Sequence, residues 1–236
     1  MPEVTTTLAR LLNAGLDMVF PPRCVTRTCK EFGAYICPAC RPLISRAEAP
    51  RCDRCWSPDE GAKCESCRHR PPAFKGVRAA FSYSGPAREA VLALKFHGLA
   101  AIAKTMAVPM AERLVEWDPP VSAIVPVPLA PSRRRARGYN QSDLLAREIA
   151  RIAGLPVEAG AVVRRRATPP QVGQPDWEAR RENVAHAFAP GRRPLAGGVL
   201  LIDDVITTGA TLDACARVLL GTGAGPVFAL TFARED

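Results

Sequence analysis

The spacing of the cysteines constrains this chain more than any other feature of its sequence. Eight of the 9 cysteines lie between Cys24 and Cys67, and the ninth, Cys215, stands alone. The residues between the eight show almost no apolar periodicity, and a short segment of this kind cannot build a sufficient hydrophobic core of its own. The segment therefore needs covalent or metal cross-links in order to fold.

The eight cysteines form four close pairs, which are Cys24/Cys29, Cys37/Cys40, Cys52/Cys55 and Cys64/Cys67. Two cysteines a few residues apart can turn both sulfurs toward one ion, and two such pairs complete a tetrahedral thiolate site. The pattern predicts two structural Zn²⁺ ions, because four cysteine ligands leave no open position for catalysis. Sequential pairing would give two small ribbons, while cross-bracing of the first pair with the third stays open.

Disulfides are the first competing interpretation of this cysteine block. They are typical of secreted chains, whereas this sequence starts Met1-Pro2-Glu3, is expected to lack an export signal and has an odd number of cysteines. Iron–sulfur clusters are the second alternative, although no cysteine run has the ferredoxin spacing. His69, close to the last pair, is either a further ligand or a surface residue.

The sequence pattern divides the chain into three parts. Residues 1–22 are predicted to form an amphipathic helix, residues 23–72 a double zinc ribbon, and residues 73–236 an α/β domain with a parallel sheet. Within the α/β domain, strands are predicted at 77–83, 123–127, 199–202 and 227–232, and helices at 86–96, 100–117, 141–153 and 210–220. No apolar run approaches the ~18 residues of a membrane helix.

Two carboxylates and a threonine-rich turn follow the predicted strand at 199–202. Asp203 and Asp204 come first, and then Thr207, Thr208, Gly209, Ala210 and Thr211 open the next helix. Ligands of parallel sheets bind at this carboxyl edge, and the amides of such a turn together with the helix dipole attract phosphate. Adjacent carboxylates beside a phosphate repel it unless they hold hydroxyls or a Mg²⁺ ion bound partly through water.

A cluster of arginines follows the predicted strand at 123–127. Four of the five residues from Arg133 to Arg137 are arginine, and their mutual repulsion is unfavourable unless an anion offsets it. We expect a loop here in which Arg133 and Arg137 contact an anion; a solvated basic loop is the alternative. After Arg164–Arg166, residues 167–177 are rich in Pro, Gln and Gly, and their length suggests a mobile lid.

The acidic pair and the threonine turn resemble the phosphoribosyl-pyrophosphate (PRPP) motif of type I phosphoribosyltransferases. Together with the cysteine block and the segments Tyr83–Gly85, Leu94–Gly98 and Pro126–Gln141, they identify the chain as a member of the ComF family. The resemblance implies a twisted parallel sheet flanked by helices, preceded by a double zinc ribbon. It also implies that Asp203 and Asp204 hold the ribose hydroxyls, that residues 207–211 bind the 5′-phosphate, and that Arg133 and Arg137 contact pyrophosphate.

The same resemblance implies a function in the cytoplasm or at the inner face of the membrane. One hypothesis is an enzyme that uses PRPP and Mg²⁺ to transfer phosphoribose to an unidentified acceptor, with a role in DNA uptake during competence. The other is a non-catalytic competence factor that binds single-stranded DNA and uses the fold as a phosphate sensor. Glutamine-dependent amide transfer is disfavoured, because it needs an N-terminal cysteine and the first cysteine here is the predicted ligand Cys24.

Composition separates these hypotheses only weakly. With 47% apolar and 23% charged residues the chain is ordinary for a globular protein, which excludes wholesale disorder. The formal net charge of +9 permits binding to nucleic acid, phosphate or an anionic membrane without selecting one. Two zinc ions with four thiolates each would lower this charge to about +5, so basicity is weak support for DNA binding.

Overall fold

The computed structural model of the chain describes residues 21–165, 187–192 and 194–236. The helix predicted over 1–22 lies almost wholly outside the described residues, and the lid predicted at 167–177 lies outside them entirely. The boundaries proposed for the three parts of the chain therefore stay a prediction.

Four parallel strands form the central sheet. They are β1 (Gly76–Ser82), β2 (Ala123–Pro126), β5 (Val199–Ile206) and β6 (Val227–Arg234), and their order is β1-β6-β5-β2. The central strands are apolar along most of their length, as expected for a parallel sheet buried on both faces. A separate antiparallel pair, β3 (Val162–Arg164) with β4 (Phe188–Pro190), was not predicted, because three residues are too few to show periodicity.

Helices cover both faces of the sheet, which confirms the predicted α/β class. They are α1 (Glu65–His69), α2 (Gly85–Phe96), α3 (Ile102–Trp117), α4 (Pro131–Arg137), α5 (Gln141–Ala153) and α6 (Ala210–Gly221). Leu200 and Ile202 of β5 belong to the apolar cluster that contains α2, α3 and α5. Val199 and Leu201 belong to the cluster that contains α6, so alternate residues of one strand serve opposite faces.

Helix α5 has the bounds that the sequence predicted, and its ends show why. The side chain of Asn140 caps the first turn by accepting a hydrogen bond from the amide of Ser142 at 3.2 Å. At the other end Gly154 adopts the left-handed conformation with φ 69°, which ends the helix.

Strand β5 is longer than the sequence predicted, and the difference changes the position of the acidic pair. The expected strand ended at Ile202, whereas β5 continues to Ile206 because β6 goes on pairing with it, Asp203 opposite Thr231 and Ile206 opposite Arg234. On the other side β2 stops at Pro126, opposite Ile202. The acidic pair therefore lies inside β5 but beyond the end of its neighbour.

The arginine segment also differs from the expectation, because it forms a helix rather than a loop. Helix α4 starts with Pro131 at its first position and ends at Gly138, which has a φ of 85°. Proline at the start and glycine just past the end are typical helix boundary signals. Pro131 and Gly138 therefore indicated a helix, but the run of arginines between them was interpreted as a loop.

The cysteine-rich segment packs on the sheet as an added edge. The backbone amide of Ser82 in β1 donates to the carbonyl of Ser45 at 2.9 Å, and the amide of Ala47 donates to the carbonyl of Ala80 at 3.2 Å. Arg46 faces Phe81 in an antiparallel bridge. This pairing covers the free edge of β1, which would otherwise expose unpaired backbone groups.

Arg78 of β1 joins the cysteine-rich segment to the α/β domain. Its guanidinium carbon lies 4.1 Å from the ring centroid of Trp56 and 4.8 Å from that of Trp117 at the end of α3. Its Nη1 donates to the carbonyl of Asp53 at 2.9 Å. A cation held between two indole rings is a strong contact when it is partly desolvated.

We predict that Arg78→Met lowers the free energy of unfolding by about 1–3 kcal/mol, because it keeps the apolar stem and removes the cation between the rings. Urea unfolding followed by tryptophan fluorescence measures this. Arg88→Met, at a half-exposed position on α2, is the matched control and is expected to change stability by no more than about 0.5 kcal/mol. Equal stability of both variants would contradict the role given to Arg78.

Candidate metal centres and active-site cleft

The eight clustered cysteines form two groups of four. In each group all four sulfurs lie within 4.8 Å of one another, and the members are Cys24, Cys29, Cys37 and Cys40 in the first group and Cys52, Cys55, Cys64 and Cys67 in the second. The pairing is therefore sequential, and the cross-braced alternative does not apply. His69 belongs to neither group among the described residues, and its side chain is exposed.

The distances between sulfurs fit one metal ion in each group. Cys29 Sγ lies 3.6 Å from Cys37 Sγ, and Cys55 Sγ lies 3.6 Å from Cys64 Sγ. Zinc–sulfur bonds of about 2.3 Å in a tetrahedron separate the sulfurs by about 3.8 Å. A disulfide would need about 2.05 Å, and all nine cysteines are free. The donor set and geometry are those of structural zinc sites.

Cys55 of the second group favours thiolate, the form that binds metal. Hydrogen bonds from the side chains of Cys67 and Ser57 lower the pKa of Cys55 to about 4, although burial acts in the opposite direction. Ser57 Oγ lies 2.8 Å from Cys55 Sγ. Burial raises the pKa of Cys64, and the hydrogen bond to Cys55 raises that of Cys67, so in the metal-free group the negative charge is concentrated on Cys55.

The two groups have different surroundings. Cys24, Cys37 and Cys40 belong to the large apolar cluster of the α/β domain. The second group forms a small cluster of its own and borders a cavity of about 260 Å³, which Thr207, Thr208 and Gly209 also line. The second cysteine group and the threonine turn are therefore neighbours across one cavity.

Two hydrogen bonds link the α/β domain to the second cysteine group and to the chain just after it. Arg234 Nη1 donates to the carbonyl of Cys55 at 2.7 Å, and the amide of Ala73 donates to Asp213 Oδ1 of α6 at 2.6 Å. Gly209 of the turn lies close to the ring of Phe74, because a Cβ added there would be 3.6 Å from it. The threonine turn therefore packs against the chain that follows the second cysteine group.

We predict that the purified chain carries two zinc ions and that the double variant Cys64→Ser, Cys67→Ser carries one. The variant should also unfold at a lower temperature, because metal binding is coupled to folding in a segment without a core. Elemental analysis for zinc and iron, together with a thermal melt, measures both effects. Cys215→Ser is the matched control and should retain two ions. Iron in place of zinc, or two ions retained by the double variant, would contradict the assignment.

A cleft of about 1030 Å³ opens at the carboxyl edge of the sheet, where β5 extends beyond β2. Its charged lining consists of Lys95, Arg133, Arg137, Arg164, Asp203, Asp204 and Glu235. The acidic pair thus shares one cleft with four cations from three other elements, α2, α4 and β3.

The two aspartates have different partners inside the cleft. Asp203 Oδ1 accepts hydrogen bonds from Ser142 Oγ and from the amide of Asp204, both at 2.9 Å. Asp204 Oδ1 lies 2.9 Å from Lys95 Nζ, and the Asp204 side chain is only 3% exposed. Asp204 Oδ2 is buried and has no hydrogen-bond partner among the described residues.

This environment shifts the proton affinities of the charged groups. Burial, and secondly the charge of Asp204, raise the pKa of Asp203 to about 7. Burial acts to lower the pKa of Lys95, but the charges of Asp204 and Asp203 outweigh it and raise that pKa. Lys95 therefore stays protonated next to the two carboxylates. Without this positive charge, ionisation of both carboxylates would be unfavourable.

Helix α4 directs its arginines to the cleft in a helical pattern. Arg133, Ala136 and Arg137 line the cleft at positions i, i+3 and i+4, which share one face of a helix. Arg137 Nη1 donates to Gln141 Oε1 at 2.5 Å, and its guanidinium carbon lies 5.6 Å from the ring centroid of Phe96. The two arginines named from the sequence are thus the ones that face the cleft.

The threonine turn divides between the cleft and the smaller cavity behind it. Thr207 and Thr211 line the cleft, while Thr208 and Gly209 line the cavity and Ala210 is buried at the start of α6. Gly209 has a φ of 78°, a conformation that favours glycine. The structure therefore brings six of the nine predicted ligand-binding residues to one cleft, namely Asp203, Asp204, Arg133, Arg137, Thr207 and Thr211.

The structure adds residues that sequence reasoning left open or missed. Lys95 and His97 were as compatible with the surface as with the site, and both line the cleft. Ser142 was missed although it is fully buried and bonds to Asp203. Arg164, the first residue of an arginine run for which the sequence favoured a sugar phosphate as partner, also lines the cleft. The available signal for Lys95 was its place in the last turn of a helix that Gly98 closely follows.

The sheet, the acidic pair at its carboxyl edge and the two four-cysteine groups define a phosphoribosyltransferase-type fold that carries a double zinc-ribbon segment. No protein-family model matches the chain. It is 32% identical over 201 residues to the DNA utilization protein YhgH of Salmonella typhimurium, a match that covers 81% of this chain and 87% of that protein. It is 31% identical over 204 residues to competence protein F of Haemophilus influenzae, with coverages of 80% and 85%.

The chain therefore belongs to the ComF family. Competence protein ComFC of Streptococcus pneumoniae is a more distant relative, 26% identical over 204 residues, with 84% of this chain and 87% of that protein covered. Among solved structures, the glutamine PRPP amidotransferase of B. subtilis matches 56% of this chain and 26% of its own chain at 21% identity and a TM-score of 0.39. That score is too low for any argument about function.

No helix in the described ranges is both long enough and apolar enough to cross a membrane.

Proposed function

We propose that the chain binds PRPP with Mg²⁺ and transfers its phosphoribosyl group to an acceptor nucleophile, with release of pyrophosphate. The observation that carries this proposal is the shared cleft, which both the aspartates, Asp203 and Asp204, and the arginines, Arg133 and Arg137, line. PRPP carries two ribose hydroxyls, a 5′-phosphate and a pyrophosphate at C1. Its site therefore needs hydrogen-bond acceptors for the hydroxyls and cations for the phosphates close together. The cleft offers this combination.

The ribose hydroxyls donate hydrogen bonds to Asp203 and Asp204. The 5′-phosphate binds at the start of α6, where Thr207 and Thr211 line the cleft. Free amides and the dipole at the start of a 12-residue helix favour an anion there. The 5′-phosphate and the ribose thus bind to consecutive parts of one strand-turn-helix unit.

Pyrophosphate is the leaving group, and Arg133 and Arg137 are placed to neutralise it. Guanidinium groups bind phosphate oxygens in a bidentate manner and stay charged at all working pH values. Mg²⁺ suits the oxygen donors at this edge, including the buried and unpaired Asp204 Oδ2. When bound, it supplies further neutralisation of the pyrophosphate charge.

In the transfer, the bond between C1 of the ribose and the pyrophosphate oxygen breaks, and its electron pair leaves with pyrophosphate. The acceptor forms the new bond to C1 with its own electron pair. Positive charge develops on the sugar during this exchange. The carboxylates of Asp203 and Asp204, which hold the ribose hydroxyls, stabilise that charge. The contribution of the protein is therefore positioning and preorganised charge.

We predict that Asp204→Asn weakens PRPP binding at least about 10-fold, equivalent to about 1.4 kcal/mol, because the neutral amide loses both the charge and an acceptor. Isothermal calorimetry with PRPP and Mg²⁺ measures the affinity. Glu112→Gln, an exposed position on α3 remote from the cleft, is the matched control and should bind as the wild type does. Absence of PRPP binding by the wild type would refute the proposed function.

A second candidate function is a non-catalytic factor in DNA uptake that holds single-stranded DNA at the same cleft. Phe96 favours it, because this side chain is 69% exposed on the cleft wall and carries the Arg137 guanidinium over its ring. Single-strand binding proteins combine aromatic platforms with cations in this way. The names of the relatives, DNA utilization protein and competence protein, agree with such a role.

The chain contains a matched control for this second candidate. Phe32 is 62% exposed in the cysteine-rich segment and lies under Arg23, whose guanidinium carbon is 5.6 Å from the ring centroid, but it does not line the cleft. Phe96→Ala should weaken binding of a thymidine oligonucleotide roughly 10-fold, since stacking contributes about 1–3 kcal/mol per base. Phe32→Ala should leave binding unchanged. Equal effects of the two variants, or an affinity insensitive to salt, would argue against DNA in the cleft.

Either function fits a cytoplasmic chain, because eight reduced cysteines persist as metal ligands in a reducing compartment.

A further inference from the structure

Lys95 makes a contact that neither candidate function uses. Its Nζ lies 2.9 Å from Asp204 Oδ1, and the two side chains are 23% and 3% exposed. Lys95 stands in the last turn of α2, where the helix dipole favours a cation. The ammonium group therefore already occupies the position where a cation neutralises the acidic pair.

The residues on either side of Lys95 fix its position. The hydroxyl of Tyr139 donates to the carbonyl of Leu94, and Arg137 lies over the ring of Phe96. Three consecutive residues of α2 thus contact three different parts of the site, with Asp204 in the middle. This arrangement connects the acidic pair, through α2, to Arg137 at the end of α4 and to Tyr139 just beyond it.

We propose that Lys95 is a built-in counter-ion of the acidic pair, so that a divalent cation reaches Asp203 and Asp204 only together with a sugar pyrophosphate. A bare divalent ion would have to displace a partly buried ammonium from a buried carboxylate and leave the ammonium without a partner, which is unfavourable. A pyrophosphate brings anionic oxygens to which the ammonium can turn. The inference rests on the proposed binding of PRPP, and Lys95 acts in it as a positioning residue.

The geometry of the pair supports this exchange. Only one oxygen of Asp204 contacts Lys95, while Asp204 Oδ2 is buried and has no hydrogen-bond partner among the described residues. Asp203 keeps its own hydrogen bonds from Ser142 and from the amide of Asp204. Release of Lys95 would therefore free a second oxygen of Asp204 without disturbing Asp203.

The test is the binding of Mn²⁺ alone, without PRPP, measured by electron paramagnetic resonance on the zinc-loaded full chain. The wild type should bind Mn²⁺ weakly, and Lys95→Met should bind it at least about 10-fold more tightly, because two adjacent carboxylates lose their counter-ion. Lys95→Arg, which keeps the charge, should remain as weak as the wild type. Lys104→Met, at an exposed position on α3, is the matched control and should change nothing.

Adding Asp204→Asn to Lys95→Met should abolish the gain in Mn²⁺ affinity. A folded Lys95→Met chain with two zinc ions that binds Mn²⁺ no better than the wild type would overturn the proposal. So would low-micromolar Mn²⁺ binding by the wild type that Asp204→Asn removes, a measurement that needs no lysine variant to fold. Because these titrations contain no PRPP, failure of PRPP binding would refute the proposed function and leave their result standing.

Discussion

The difference in length between two neighbouring strands determines the site of this protein. β5 continues to Ile206 because β6 pairs with it that far, whereas β2 stops opposite Ile202. Asp203 and Asp204 lie in the part of β5 that extends beyond β2, and both line the cleft there. Ligands of open parallel sheets bind at this carboxyl edge.

The cysteine-rich segment packs against the α/β domain at several places. It covers the edge of β1, it meets α3 through Arg78, and its second four-cysteine group backs the threonine turn. A segment without its own core thus depends on the cross-linking that its cysteine groups can provide and on the domain it covers.

The acidic pair of the cleft has a cation as its direct neighbour. Lys95 of α2 forms an ion pair with Asp204, and the arginines of α4 line the same cleft. The chain is basic overall, but the location of these few cations is more informative than the net charge of +9. Such an arrangement suits a ligand with hydroxyls near the carboxylates and phosphates near the arginines.

The sequence by itself determined the α/β class, the eight metal-ligand candidates, the acidic pair and the bounds of α5, because each depends on local spacing, capping or periodicity. Only the tertiary structure decided the sequential grouping of the cysteines, the length of β5 and the placement of Lys95, Ser142 and Arg164 in the cleft. These depend on which strands and helices become neighbours. The pairing of β5 with β6 across more than twenty residues of chain, and of Lys95 with Asp204 across more than a hundred, leaves no periodic trace in the sequence.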